Sequence, residues 1–215
     1  MINRRVLSRS VARSLSGLAH FEKENAKKHQ FLSISLHANS PRSHKSVNFA
    51  AVNRKILQVQ QVPRKLVRRL KALKKTVAAA ESCSAGLAAD LIAGIPGASR
   101  VLWGSFVSYT PEAKYRMLGV SEECLNLYGA VSRETACAMA RGALEHSGAD
   151  FSFSITGLAG PGGDETGMPA GIVWIAIMRR GENPEPALFH FKGSRNRVRL
   201  KAAEKALEIL LKKIT

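Results

Sequence analysis

From Pro63 onward the apolar residues fall into short patches whose period keeps changing. Leu66, Val67, Leu70 and Leu73 recur at helical spacing, and Pro63 suits an opening helical turn. Thr76-Val-Ala-Ala-Ala80 predicts a short buried strand, and Leu87 to Ala93 a helix behind the glycine of Glu-Ser-Cys-Ser-Ala-Gly. Phe106 to Tyr109 closes a second strand. Thr110-Pro111-Glu112 then predicts a helix start, with Thr110 as N-cap and Pro111 at the first position. Ser132 caps a longer helix to about His146, kept slim by Ala136, Ala138, Ala140 and Ala143. Phe151 to Thr156 and Ile172 to Met178 predict strands around a glycine-rich loop. Ala187 to Lys192 predicts another, and Val198 to Lys213 a closing amphipathic helix. Strands alternating with helices over residues 63–215 predict a layered α/β domain with a largely parallel sheet.

Upstream of this pattern the chain is different. Residues 1–21 carry four arginines, four serines and no acid, and a polar, broken stretch follows to residue 53. The chain bears a formal net charge of +17, yet residues 1–75 hold 18 Lys and Arg against Glu22 and Glu24 alone. Residues 76–215 are nearly balanced. The expected division is therefore a basic, disordered extension over 1–53 and a folded domain over 54–215. Contact with nucleic acid is expected only through residues 1–75. The longest clean apolar run, Ile172 to Met178, is far short of a membrane span. Three cysteines without CxxC spacing argue for a reducing compartment. The expected location is the cytoplasm, with organelle targeting by residues 1–21 as the lesser alternative.

Glycine-bearing loops follow three of the strands, and in open α/β sheets ligands bind at the carboxyl ends of strands. The loop at Ser82–Gly86 runs from a strand into a helix, where free amides could stabilise negative charge. Ser82 or Ser84 could instead simply cap that helix. A hydroxyl nucleophile needs a base, and no histidine lies in these loops. The six histidines also lack paired metal-ligand spacing, so neither metal nor cofactor is expected. A lysine serves if burial lowers its pKa, and Lys114 in a first helical turn is the candidate. A plain surface lysine is the alternative.

Seven motifs occur in order: Ala80-Glu-Ser-Cys-Ser-Ala-Gly86, Pro96-Gly-Ala-Ser99, Ser108-Tyr109 with Glu112-Ala-Lys114, Leu118-Gly-Val120, Gly129-Ala-Val-Ser132, Thr156-Gly-Leu-Ala-Gly-Pro161 and Gly193-Ser-Arg195. Together they resemble the CinA C-terminal family, whose stand-alone members are nicotinamide-nucleotide amidohydrolases. The resemblance implies a three-layer α/β/α fold with a mixed, largely parallel sheet. It implies hydrolysis of the carboxamide of nicotinamide mononucleotide without a metal. By motif, Ser82 resembles the nucleophile, Lys114 its base and Tyr109 the tyrosine beside them. Ser84, Ala85 and Gly86 correspond to the oxyanion loop. Thr156, Gly157, Gly160, Pro161, Arg195 and Arg199 correspond to residues on the ribose-phosphate side. The chain departs from the family pattern at Ala85, where a glycine is usual, at Met168, where a lysine often stands, and at Ser194, where an aspartate is usual.

The expected partners are a nucleotide substrate and further copies of the chain. A second possibility, a catalytically weak nucleotide-binding module with a basic arm for an acidic partner, predicts binding without turnover.

Overall fold

The computed structural model describes residues 60–215; the expected extension over 1–53 and its boundary with the domain lie outside the described residues. Helix α1 (Gln61–Leu73) turns Pro63, Leu66, Val67 and Leu70 inward and leaves its basic residues outside. Strand β1 (Val77–Glu81) is buried throughout and leads into α2 (Leu87–Ala93). A short 3₁₀ turn precedes β2 (Leu102–Val107), then α3 (Pro111–Leu118), α4 (Glu122–Tyr128) and α5 (Arg133–Ser147). Strands β3 (Phe151–Gly157), β4 (Ile172–Arg179) and β5 (Glu185–His190) follow, and α6 (Arg195–Lys213) closes the chain.

The sheet order is β2-β1-β3-β4-β5. The pairings of β1 with β2 and with β3 are parallel, and those of β4 with β3 and with β5 are antiparallel. Four of the five strands therefore point the same way, with β4 reversed. Helices α1, α2 and α6 bury one face of the sheet through Leu66, Leu70, Ile92, Ala203, Leu207 and Leu210, against strand residues such as Phe153 and Ile175. On the other face lie α3 and α5, with Leu118 and Met139 packed around Ala80, and Ala136 and Ala140 around Ala176. This is the three-layer α/β/α architecture.

Strand β3 shows how closely α5 sits. Its outward-alternating residues on that face are small hydroxyls: Ser152 Oγ donates to Ala140 O and Ser154 Oγ to Ala136 O, both at 2.6 Å. Each such buried bond contributes about 1 kcal/mol net, and the alanines opposite leave room for it.

Strand β5 lies two residues earlier than expected and α6 starts three residues earlier, at Arg195, and two further elements differ from the sequence-based expectation. Helix α4 was not anticipated, because seven residues with no buried side chain carry no helical hydrophobic period. Its start is nevertheless written in Ser121, whose side chain accepts from Cys124 N, and in Glu122 and Glu123 of the first turn. Strand β2 begins earlier than expected and ends before Tyr109. It is an edge strand of intermediate burial, and Gly104 and Ser105 break its apolar run.

Candidate active site

Because β1, β2 and β3 are parallel, their carboxyl ends share one edge of the sheet. The strand order reverses between β1 and β3, the position at which such sheets open a ligand crevice. Ser82 stands there. Its N–H donates to Ile155 O at 2.9 Å and extends the β1–β3 ladder by one residue, which fixes its Cα. Ala85 N then donates to Ser82 O at 3.0 Å, closing a tight turn in which Ala85 takes a left-handed φ of 52°.

The helix start behind that turn is not open to a ligand, contrary to the sequence-based expectation. The fully buried Glu81 carboxylate accepts from Ala88 N at 3.1 Å, Ala89 N at 2.9 Å and Ser105 Oγ at 3.3 Å. The carboxylate thus satisfies the dipole end of α2 from below. Neither Ser82 nor Ser84 caps the helix; Gly86 is the N-cap without a side-chain bond.

Lys114 arrives from the opposite layer. Thr110 Oγ1 accepts from Ala113 N and Pro111 holds the first helical position, so the start of α3 is fixed and places Lys114 one turn in. The far end of α3 is fixed by α5: a Cβ on Gly142 would overlap the carbonyl of Leu118, so only glycine permits this approach. Lys114 is 1% exposed. Its Nζ lies 2.9 Å from Ser82 Oγ and 2.9 Å from Ser108 O. Burial pulls its ammonium from an ordinary 10.5 down to about 8, against a smaller opposing pull from Cys83. Burial also pushes the Cys83 thiol up to about 11, which leaves little thiolate at neutral pH beside the serine.

The two side chains open into a cavity of about 280 Å³. Tyr109, Ala130, Val131, Gly157, Gly160 and Arg195 line it with them. Thr156 also lines it, but its hydroxyl donates to Ala130 O at 2.7 Å, so it holds the Ala130–Val131 wall against β3. Arg195 donates to Tyr109 Oη and to Gly160 O, both at 2.6 Å, bridging two sides of the opening.

Several expected site residues stand elsewhere. Ser84, Ala85, Gly86, Pro161 and Arg199 do not line the cavity. Arg199 faces the loop from behind, donating through Nε to Cys83 O at 3.2 Å and through a terminal nitrogen to Ser84 O at 3.0 Å. Met168 is also outside the lining; its N–H is held by Asp164. The Ala85 amide is committed to Ser82 O, whereas the Cys83, Ser84 and Gly86 amides have no acceptor among the described residues. The sequence reading missed Ala130, Val131 and the Ser108 carbonyl, whose contributions are backbone or small-residue surface and carry no side-chain signature. Among the described residues no three His, Cys, Asp or Glu side chains converge as a metal site.

The family model of the CinA C-terminal domain matches residues 59–214. A CinA-like protein of Syntrophomonas wolfei is 44% identical over 136 residues, 63% of this chain and 32% of the relative. A CinA-like protein of Thermotoga maritima is 42% identical over 148 residues, 68% of this chain and 36% of the relative. The chain thus spans about a third of the length of the curated relatives it matches. Among solved structures, the competence/damage inducible protein CihA of Agrobacterium tumefaciens is 39% identical with a TM-score of 0.69, covering 72% of this chain and 94% of that one. A CinA superfamily protein of Klebsiella pneumoniae is 32% identical with a TM-score of 0.71, covering 73% and 97%.

Proposed function

Since this chain belongs to the CinA C-terminal domain family, we propose that it hydrolyses the carboxamide of nicotinamide mononucleotide to nicotinate mononucleotide and ammonia by a Ser82–Lys114 dyad. The observation that carries this reading is the 2.9 Å contact between Ser82 Oγ and a buried lysine whose ammonium is destabilised. In the ammonium form Nζ donates to Ser82; in the amine form the direction reverses, and Ser82 O–H donates to the Nζ lone pair. Ser108 O holds one remaining N–H and so aims that lone pair.

The chemistry then follows in balance. Lys114 takes the Ser82 proton as Oγ attacks the carboxamide carbon. The tetrahedral oxyanion is met by the unpaired amides of Cys83 and Ser84. Lys114 returns the proton to the departing nitrogen, releasing ammonia and leaving an acyl ester on Ser82. Water, deprotonated by Lys114, attacks that ester; the nucleotide carboxylate leaves and Ser82 is reprotonated.

A cavity of about 280 Å³ stands at the small end for ligand sites and suits a mononucleotide better than a dinucleotide. Arg195 supports the same reading, as an exposed cation already held at the opening by Tyr109 and Gly160, where it can meet a phosphate. The test is ammonia release from a panel of pyridine nucleotides. Turnover of the mononucleotide in preference to the dinucleotide supports the proposal, and binding without turnover contradicts it.

A further inference from the structure

The motif pattern puts Arg199 on the ribose-phosphate side, but its position behind the nucleophile loop fits neither that role nor a part in the dyad. It is half-buried on α6, one helical turn beyond Arg195, and its guanidinium ignores the cavity. Instead it grips two consecutive backbone carbonyls of the loop that carries the nucleophile, Cys83 O at 3.2 Å and Ser84 O at 3.0 Å. The remaining terminal nitrogen bonds Asn196 Oδ1 at 3.2 Å on its own helix, which holds the fork in place.

A trans peptide is planar, so a carbonyl and the N–H that follows it point in opposite directions. Two carbonyls drawn towards α6 therefore turn two N–H groups away from it, those of Ser84 and Ala85. The Ala85 amide is used within the turn by Ser82 O. The Ser84 amide has no acceptor among the described residues, and it belongs to the loop whose Ser82 and Cys83 line the cavity. Left alone, this loop has reason to relax: Ala85 sits at φ 52°, a conformation that disfavours a residue with a Cβ. A bidentate cation on the two preceding carbonyls opposes that relaxation. Its contacts on the loop are backbone carbonyls alone, so there it serves orientation and not recognition of a side chain.

We propose that Arg199 is a positioning residue that orients the Ser84 amide as one of the two oxyanion donors. The inference rests on the Ser82 nucleophile of the preceding section. A phosphate-binding arginine would chiefly set KM; a positioning one sets kcat. Displacing an oxyanion donor by a fraction of its length costs on the order of 10- to 100-fold in rate.

The test uses the full chain with Arg199→Met and Arg199→Lys. Turnover of nicotinamide mononucleotide gives kcat and KM, and the rate at which a fluorophosphonate labels Ser82 reports the oxyanion hole without any nucleotide. Arg199→Met should lower both kcat and the labelling rate by about 10- to 100-fold, with KM changed less than about threefold. Arg199→Lys, which can hold one carbonyl, should recover part of both. Added guanidinium at millimolar concentration should raise the Arg199→Met rates but not the wild-type rates. Slower labelling in a protein that turns over no nucleotide would count against the substrate and for the positioning role. An Arg199→Met protein that labels as fast as wild type, or wild-type Ser82 that does not label, overturns the proposal. So does a raised KM at unchanged kcat.

Discussion

Lys114 Nζ lies 2.9 Å from Ser82 Oγ although Ser82 ends a strand of the central sheet and Lys114 rides on a helix of an outer layer, and among the described residues no carboxylate pairs with the lysine. A buried cation without a counter-ion is a cost to the fold. Its position is understandable as the condition for a lysine that can lose its proton near neutral pH.

That cost separates catalysis from stability. Lys114→Met should abolish turnover by roughly three or more orders of magnitude while the melting temperature stays level or rises, since an apolar side chain of similar length replaces an unpaired charge. Thermal denaturation and ammonia release on the same preparation check it. A melting temperature lowered by several degrees would show that the lysine stabilises the fold.

The pH dependence follows from the lowered lysine. The base must be neutral, so kcat/KM should rise with pH and level off above an apparent pKa near 8. Stability should move in the same window. Above 10.5 both folded and unfolded chains carry the neutral amine. Between 10.5 and about 8 only the unfolded chain binds the proton, so this contribution is lost as pH falls and is gone below about 8. Urea denaturation from pH 7 to 10 should show the rise for wild type and a flatter profile for Lys114→Met.

Ala85→Gly should stabilise the protein. The left-handed φ of 52° costs an alanine about 1–2 kcal/mol, and the greater freedom of glycine in the unfolded chain returns about 0.4–1. The expected net gain is about 0.5–1 kcal/mol by chemical denaturation. A loss of stability would mean that the methyl packs better than its backbone strain costs.

Gly142→Ala tests how the base is placed. The new Cβ meets the Leu118 carbonyl, so α3 must shift away from α5. Overpacking of this kind costs about 1–3 kcal/mol. Turnover should fall more than stability, because Lys114 rides on α3. Unchanged kcat in a folded protein would show that the helix placement is not critical.

How much of this was legible beforehand depended on what each residue contributes. The Ser82 turn and the Thr110–Pro111 helix start were readable, because capping residues and strand-to-helix glycine loops have local signatures. The resemblance then tied Ser82 to Lys114 across 32 positions, a distance no periodicity spans. The contacts of Glu81 and Arg199 were not legible, for a common reason. Each side chain bonds backbone amides or carbonyls of a neighbouring segment, and such partners leave no residue pattern. Glu81 occupies the helix end expected to be free, and Arg199 braces the loop from behind rather than facing a ligand.

The most direct test of the central claim compares ammonia release from nicotinamide mononucleotide by wild type, Ser82→Ala and Cys83→Ala at pH 8.5, a value chosen about half a unit above the lysine pKa. The account predicts release by wild type, loss of about 10³-fold or more in Ser82→Ala, and near wild-type rates in Cys83→Ala. Activity that survives in Ser82→Ala and disappears in Cys83→Ala would contradict it.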